Sequence, residues 1–140
     1  FDYSLYFQQV LNFIPEEEKF NSALKESYRV TKANGIAIFS LLDYKTRFYN
    51  KGLNRLLHVL RKIRKEPLLN QRLPWLKINN KFNWKILNKN QALSYWVKEE
   101  EIISSLKEIG YTILEIKNAS EFSNQNSKNR KGMLFIVCRK

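Results

Sequence analysis

One amphipathic helix held between two short apolar runs constrains this chain more than anything else in it. The first run, Phe1 to Leu11, reads as a strand through about residue 8 and turns polar at Gln8 and Gln9. The second, Gly35 to Asp43, is Gly-Ile-Ala-Ile-Phe-Ser-Leu-Leu-Asp. Between them, residues 15–32 carry helix signals. Pro15 suits a first helical position, and Glu16, Glu17 and Glu18 fill the turn where the helix dipole favours anions. Phe20, Leu24 and Tyr28 recur every four residues, with Ala23 beside them, so one stripe is apolar. Arg29 and Lys32 close the helix, and Asn34-Gly35 can supply a left-handed stop. Short uninterrupted runs suit strands buried on both faces. Strand, helix, strand at this spacing predicts a right-handed crossover in a parallel sheet.

The chain has 140 residues, 44% apolar and 14% aromatic, enough for one domain with a real core. A single Cys138 excludes a disulfide framework and makes a reducing compartment, the cytoplasm, the expectation. With His58 the lone histidine, a structural zinc site is not expected. No run approaches the length of a membrane-spanning helix. The net charge of +12 is concentrated: Lys45 to Lys65 holds eight basic residues and no acidic one.

Within that stretch, residues 46–65 read as a second amphipathic helix. Tyr49, Leu53, Leu56, Leu57, Leu60 and Ile63 take one side and the basic residues most of the other. Pro67 and Pro74 end the pattern. Residues 67–96 form an aromatic, Asn-rich connection, with Leu93, Tyr95 and Val97 alternating as a short extended piece would. A third helix is expected from Lys98 to Ile109, with Glu99 to Glu101 at its start and Gly110 as its cap. Tyr111 to Ile116 is strand-like, 118–131 reads as a polar loop, and Met133 to Cys138 as a last buried strand.

In order and spacing, these residues resemble the later half of the class I S-adenosylmethionine-dependent methyltransferases. The resemblance rests on Phe1 and Asp2, Val10 and Leu11, then Glu26, Arg29, Val30, Lys32 and Gly35, and finally Gly110-Tyr111. Tyr95 to Ile102 also looks like the family's approach to its fifth helix. It implies an α/β fold, the C-terminal part of a Rossmann-like, mostly parallel sheet. That part would be the last four of the family's seven strands, the final one antiparallel, with a helical cap inserted at about 44–96. Residues 1–140 are thus expected to be the C-terminal part of one methyltransferase domain. The sequence opens on Phe1 rather than a methionine, and is read as a fragment whose edge strand, 1–8, would be an aggregation hazard.

The departures are specific. The turn after the first strand is a residue longer, Phe13 stands where the family commonly has His, and Ala33-Asn34 replaces its Pro-Gly. None of Gly35, Gly52, Gly110 and Gly132 forms the Gly-x-Gly turn that lets a backbone approach S-adenosylmethionine, so the cofactor's main binding motif is expected upstream of Phe1.

The resemblance places the methyl-donor face at the carboxyl end of the first strand. There Phe7 and Val10 would wall a cofactor or substrate pocket and the amides of Gln8 and Gln9 would orient its contents. Ordinary core packing is the competing reading. Ser40, Asp43, Tyr95 and Trp96 are the candidate substrate cap, against a turn in which Asp43 caps the next helix. Trp75, Trp84 and Trp96 could stack on a flat acceptor or simply pack. Methyl transfer needs alignment and desolvation more than acid–base groups, so no catalytic residue is assigned and no metal is expected. The acceptor expected is a small molecule or lipid-like compound. The basic helix leaves three readings open: a solvated cap, a peripheral contact with anionic membrane, or a nucleic-acid contact. A non-catalytic basic module acting through 45–65, or a truncated pseudoenzyme, is the alternative to an enzyme.

Overall fold

The computed structural model describes residues 1–14, 16–46, 51–64, 71–75, 77–78, 81–87, 93–122 and 133–140. Its central sheet has four strands in the order β1 (Tyr3–Tyr6), β2 (Ile36–Leu42), β8 (Met133–Arg139) and β7 (Thr112–Asn118). β1 and β2 run parallel, Tyr3 opposite Ile36 and Tyr6 opposite Phe39, joined by helix α1 (Glu17–Val30) as the crossover. β8 is antiparallel to both neighbours. An irregularity between Ile113 and Glu115 breaks its register with β7. The expected α/β, Rossmann-like architecture with an antiparallel final strand is what the chain adopts.

Helix α1 buries Phe20, Leu24 and Ser27. Of the stripe read from sequence, Phe20 and Leu24 are fully inside, and Tyr28 and Ala23 pack partly buried at its edge. Pro15 lies outside the described residues. Asn34 takes the left-handed conformation at φ 62°, but α1 has already ended at Val30 with Thr31 extended. Asn34 therefore shapes the turn into β2 rather than stopping the helix, and Gly35 is needed for a different reason. A Cβ there would stand 2.8 Å from Thr31 Cγ2 and 2.9 Å from the Lys32 carbonyl oxygen, so this glycine permits a close approach. Helix α3 (Glu99–Ile109) ends at Gly110, φ 116°, as its sequence requires.

Both helices pack on one face of the sheet. Phe20 and Leu24 of α1 meet Ile102 and Leu106 of α3 over Ala37, Phe39 and Leu41 of β2 and Leu134, Ile136 and Cys138 of β8. Burial raises the Cys138 thiol to about 12, as expected for an inert core cysteine. The opposite face, bearing Tyr3, Leu5, Ile38, Phe135 and Val137, is only partly covered, and Tyr3 and Leu5 are 70% and 54% exposed. The strands are therefore not buried on both faces. The helices stand on one side, and alternate side chains point away from them.

The first strand also ends early, at Tyr6. Residues 8 and 9 belong to a turn, and Val10–Phe13 forms a single 3-10 turn. The expected loop after β7 begins instead as a short helix, α4 (Ala119–Phe122), whose Phe122 ring meets Phe135 edge-on at 5.2 Å. The rest of that expected loop, 123–131, lies outside the described residues.

Between β2 and α3 lie helix α2 (Lys51–Ile63) and two short antiparallel strand pairs. β3 (Arg72–Leu73) pairs with β6 (Ser94–Tyr95), and β4 (Lys77–Ile78) with β5 (Lys81–Phe82). Leu42, Leu57, Leu73 and Trp96 form their separate core. The segment returns to the sheet where the Val97 amide donates to the Leu42 carbonyl at 2.8 Å and the Tyr44 amide to the Val97 carbonyl at 2.8 Å. Arg47, Tyr49, Lys65 and Pro67, part of the basic-helix reading, fall outside the described residues. Among the described residues no helix is long and apolar enough to cross a membrane.

Candidate functional site

A largely apolar pocket of about 700 Å³ opens at the carboxyl ends of β1 and β2. In open α/β sheets this is where ligands lie, because backbone and loops there leave a crevice. Its floor is the uncovered sheet face, Ile38, Phe135 and Val137. Leu42, Thr46, Trp75 and Trp96 wall it from the end of β2 and the inserted segment. Met133, Ala119 and Phe122 close the side nearest β8 and α4, and Phe7 and Gln9 stand after β1. Glu115, which ion-pairs with Lys117, is the one carboxylate among the described lining residues.

The turn after β1 is strained. Gln8 and Gln9 hold φ of 56° and 58° in succession, a region that costs side-chain-bearing residues about 1–2 kcal/mol each. Hydrogen bonds hold it in place: the Val10 amide donates to the Phe7 carbonyl at 3.3 Å and the Asn12 amide to the Gln9 carbonyl at 2.8 Å. Asn12, fully buried, then ties three segments together. Its Nδ2 donates to the Tyr95 carbonyl at 2.5 Å, and its Oδ1 accepts the Leu42 amide at 3.2 Å. The carboxyl ends of β1 and β2 and strand β6 are thereby fixed relative to one another.

Phe7, Gln9, Trp75 and Trp96, four residues singled out from sequence, meet at this pocket. Gln8 and Val10 are exposed and not on its lining. Ser40 is buried, its hydroxyl 3.8 Å from the Met133 sulfur, and it is not on the lining. Asp43 is spent on its own turn, where its carboxylate accepts the Lys45 amide at 2.8 Å and its carbonyl the Thr46 hydroxyl at 2.6 Å. Burial pushes its carboxyl above the usual aspartate range.

Tyr95 lies away from the pocket, packing on Phe20 of α1 at 4.9 Å with the Arg72 guanidinium 5.6 Å over its ring. Burial raises its phenol to about 12. In a strand, neighbours point to opposite sides, which is why Trp96 reaches the pocket and Tyr95 does not. Trp75 and Trp96 stand 5.4 Å apart, their indole N–H groups held by the Ser94 hydroxyl at 3.0 Å and the Leu73 carbonyl at 3.1 Å. Trp84 is exposed, against Phe82 and off the lining. His58 sits half-buried on α2 and Phe13 is exposed; neither lines the cavity.

Sequence reasoning missed Leu42, Thr46, Met133 and Phe122, and with them Asn12. The wall from β8 and α4 comes from the far end of the chain, and no local pattern marks it. Asn12 carried one signal: an amide between two apolar residues, Leu11 and Phe13, just past the first apolar run. Among the described residues no cluster of His, Cys, Asp and Glu could hold a metal ion.

No protein-family model and no curated protein sequence matches the chain. Solved structures do. An S-adenosylmethionine-dependent methyltransferase from Methanosarcina mazei superposes over 100% of the chain with a TM-score of 0.66 at 16% identity. One from Clostridium acetobutylicum covers 99% with a TM-score of 0.54 at 12% identity, and one from Mesorhizobium loti covers 99% with 0.52 at 12%. The chain spans 59% of the length of the first of these structures and 58% and 60% of the other two. At these identities the likeness shows a shared fold, the one expected from the sequence.

Proposed function

We propose that this chain is the acceptor-side portion of an S-adenosylmethionine-dependent methyltransferase and that its pocket holds an apolar, lipid-like methyl acceptor. One observation carries the reading: a largely apolar pocket opens at the carboxyl ends of the parallel strands, beside a strained turn, in a fold shared with such enzymes. The described residues fit only half of that task. They supply walls of Trp75, Trp96, Leu42 and Phe122, but no glycine turn able to cradle the cofactor. The cofactor cradle is therefore assigned to other parts of the full-length protein.

What these residues contribute is desolvation and orientation. Two hydrogen-bonded indoles and the apolar floor exclude water from an apolar acceptor, and the Gln9 amide and Thr46 hydroxyl offer polar contacts at the rim. Glu115 is the lining group able to accept a proton from an acceptor that must lose one. Calorimetry of the full-length protein with S-adenosylmethionine, and transfer of a labelled methyl group to a lipid extract, test the reading. Phe122→Ala and Gln9→Ala are expected to raise the acceptor KM while cofactor affinity holds. Absence of cofactor binding by the full-length protein would remove the enzyme reading altogether.

A further inference from the structure

Helix α2 meets the body of the protein with only part of its apolar side. Leu57 and Arg61 face the body of the protein, 1% and 7% exposed, with an Arg61 guanidinium N–H donating to the Arg72 carbonyl at 3.2 Å. Leu56, Val59 and Ile63, at the spacing of one helical stripe, are left 47%, 49% and 73% exposed. Seven residues apart on the flank beside Val59 stand Arg55 and Lys62, both exposed. The surrounding sequence from Lys45 to Lys65 carries no acidic residue to offset them.

We propose that α2 is a membrane-contact helix that seats the protein on an anionic lipid surface, its Leu56–Val59–Ile63 stripe entering the headgroup–acyl boundary and Arg55 and Lys62 pairing with lipid phosphates. An aliphatic stripe flanked by basic residues gains from both regions of a bilayer at once. A polynucleotide would use the charges but offers the leucine stripe nothing, since single strands are held by stacking on aromatic rings. A second copy of this helix would bring one basic flank against another.

The helix also touches the pocket wall. Leu57 packs with Leu42 and Trp96, which line the cavity, so the membrane side of α2 and the pocket lie on either side of one small core. That an acceptor enters from the bilayer rests on the proposed function. Membrane contact itself rests on α2 alone.

Flotation of the full-length protein with vesicles of phosphatidylcholine containing about one-third phosphatidylglycerol separates the two. Binding is expected, falling with salt and weak on pure phosphatidylcholine. It should drop at least about tenfold both in Arg55→Glu/Lys62→Glu and in Leu56→Ser/Val59→Ser/Ile63→Ser. All five side chains are exposed, so unchanged circular dichroism is expected, and either variant by itself reads out the proposal. No vesicle binding, or binding that the serine variant retains, overturns it. Retention on single-stranded RNA in place of vesicles overturns it too. Vesicle binding without S-adenosylmethionine binding would leave α2 assigned and the methyltransferase reading lost.

Discussion

Asn12 holds the pocket end of the sheet together by serving two masters, the Tyr95 carbonyl and the Leu42 amide, from a fully buried position. Truncating it strands both backbone groups away from water, so Asn12→Ala is expected to cost about 2 kcal/mol in urea unfolding. Asp43 makes the opposite contribution. Its carboxyl is raised by burial, so near the ordinary aspartate value the folded state holds a proton that the unfolded state has released. Its ionisation therefore costs stability as pH rises through the folded value, and the cost persists at neutral pH. Asp43→Asn keeps an oxygen for the Lys45 amide and removes the charge. It should stabilise the protein at pH 7 and confer little at acid pH, where both carboxyls are protonated; denaturant midpoints at the two pH values check this.

At the scale of elements, α1 and α3 form where their apolar stripes direct, and α3 stops at the glycine its sequence supplies. Phe20 and Leu24 point where their spacing says they should, and Gly110 ends α3 in a conformation that a side chain would resist. In α2 the pattern was legible but its orientation was not. The sequence puts Tyr49, Leu53, Leu56, Leu57, Leu60 and Ile63 on one side and leaves open what that side meets. The structure divides it, Leu57 anchoring the helix against Leu42, Leu73 and Trp96 while Leu56 and Ile63 stay exposed. Leu57→Ala should lower stability by about 3 kcal/mol, while truncating exposed Leu56 should change it little. Thermal melts of the two variants separate anchor from stripe. Which side of an amphipathic helix meets the protein depends on what stands opposite, and the charge pattern around α2 is compatible with both orientations.

Over the whole molecule, one sheet face lies under α1 and α3 and the other carries Tyr3, Leu5, Ile38, Phe135 and Val137 partly open. In a polypeptide of these 140 residues alone, that apolar face and the free side of β1 should drive self-association. Sedimentation velocity is expected to show oligomers that Leu5→Lys reduces; a monomer at all concentrations would contradict this. The sequence by itself determined the strand–helix–strand unit, the glycine cap of α3 and the strand-end position of Phe7 and Gln9, because these depend on period and on local backbone preference. Only the tertiary structure decided the rest. Asn12 as a tie, Met133 and Phe122 as walls and Tyr95 turned away from the pocket all arise where segments distant in the chain meet. So does the outward leucine stripe of α2: periodicity creates an apolar side, and only packing chooses what that side faces.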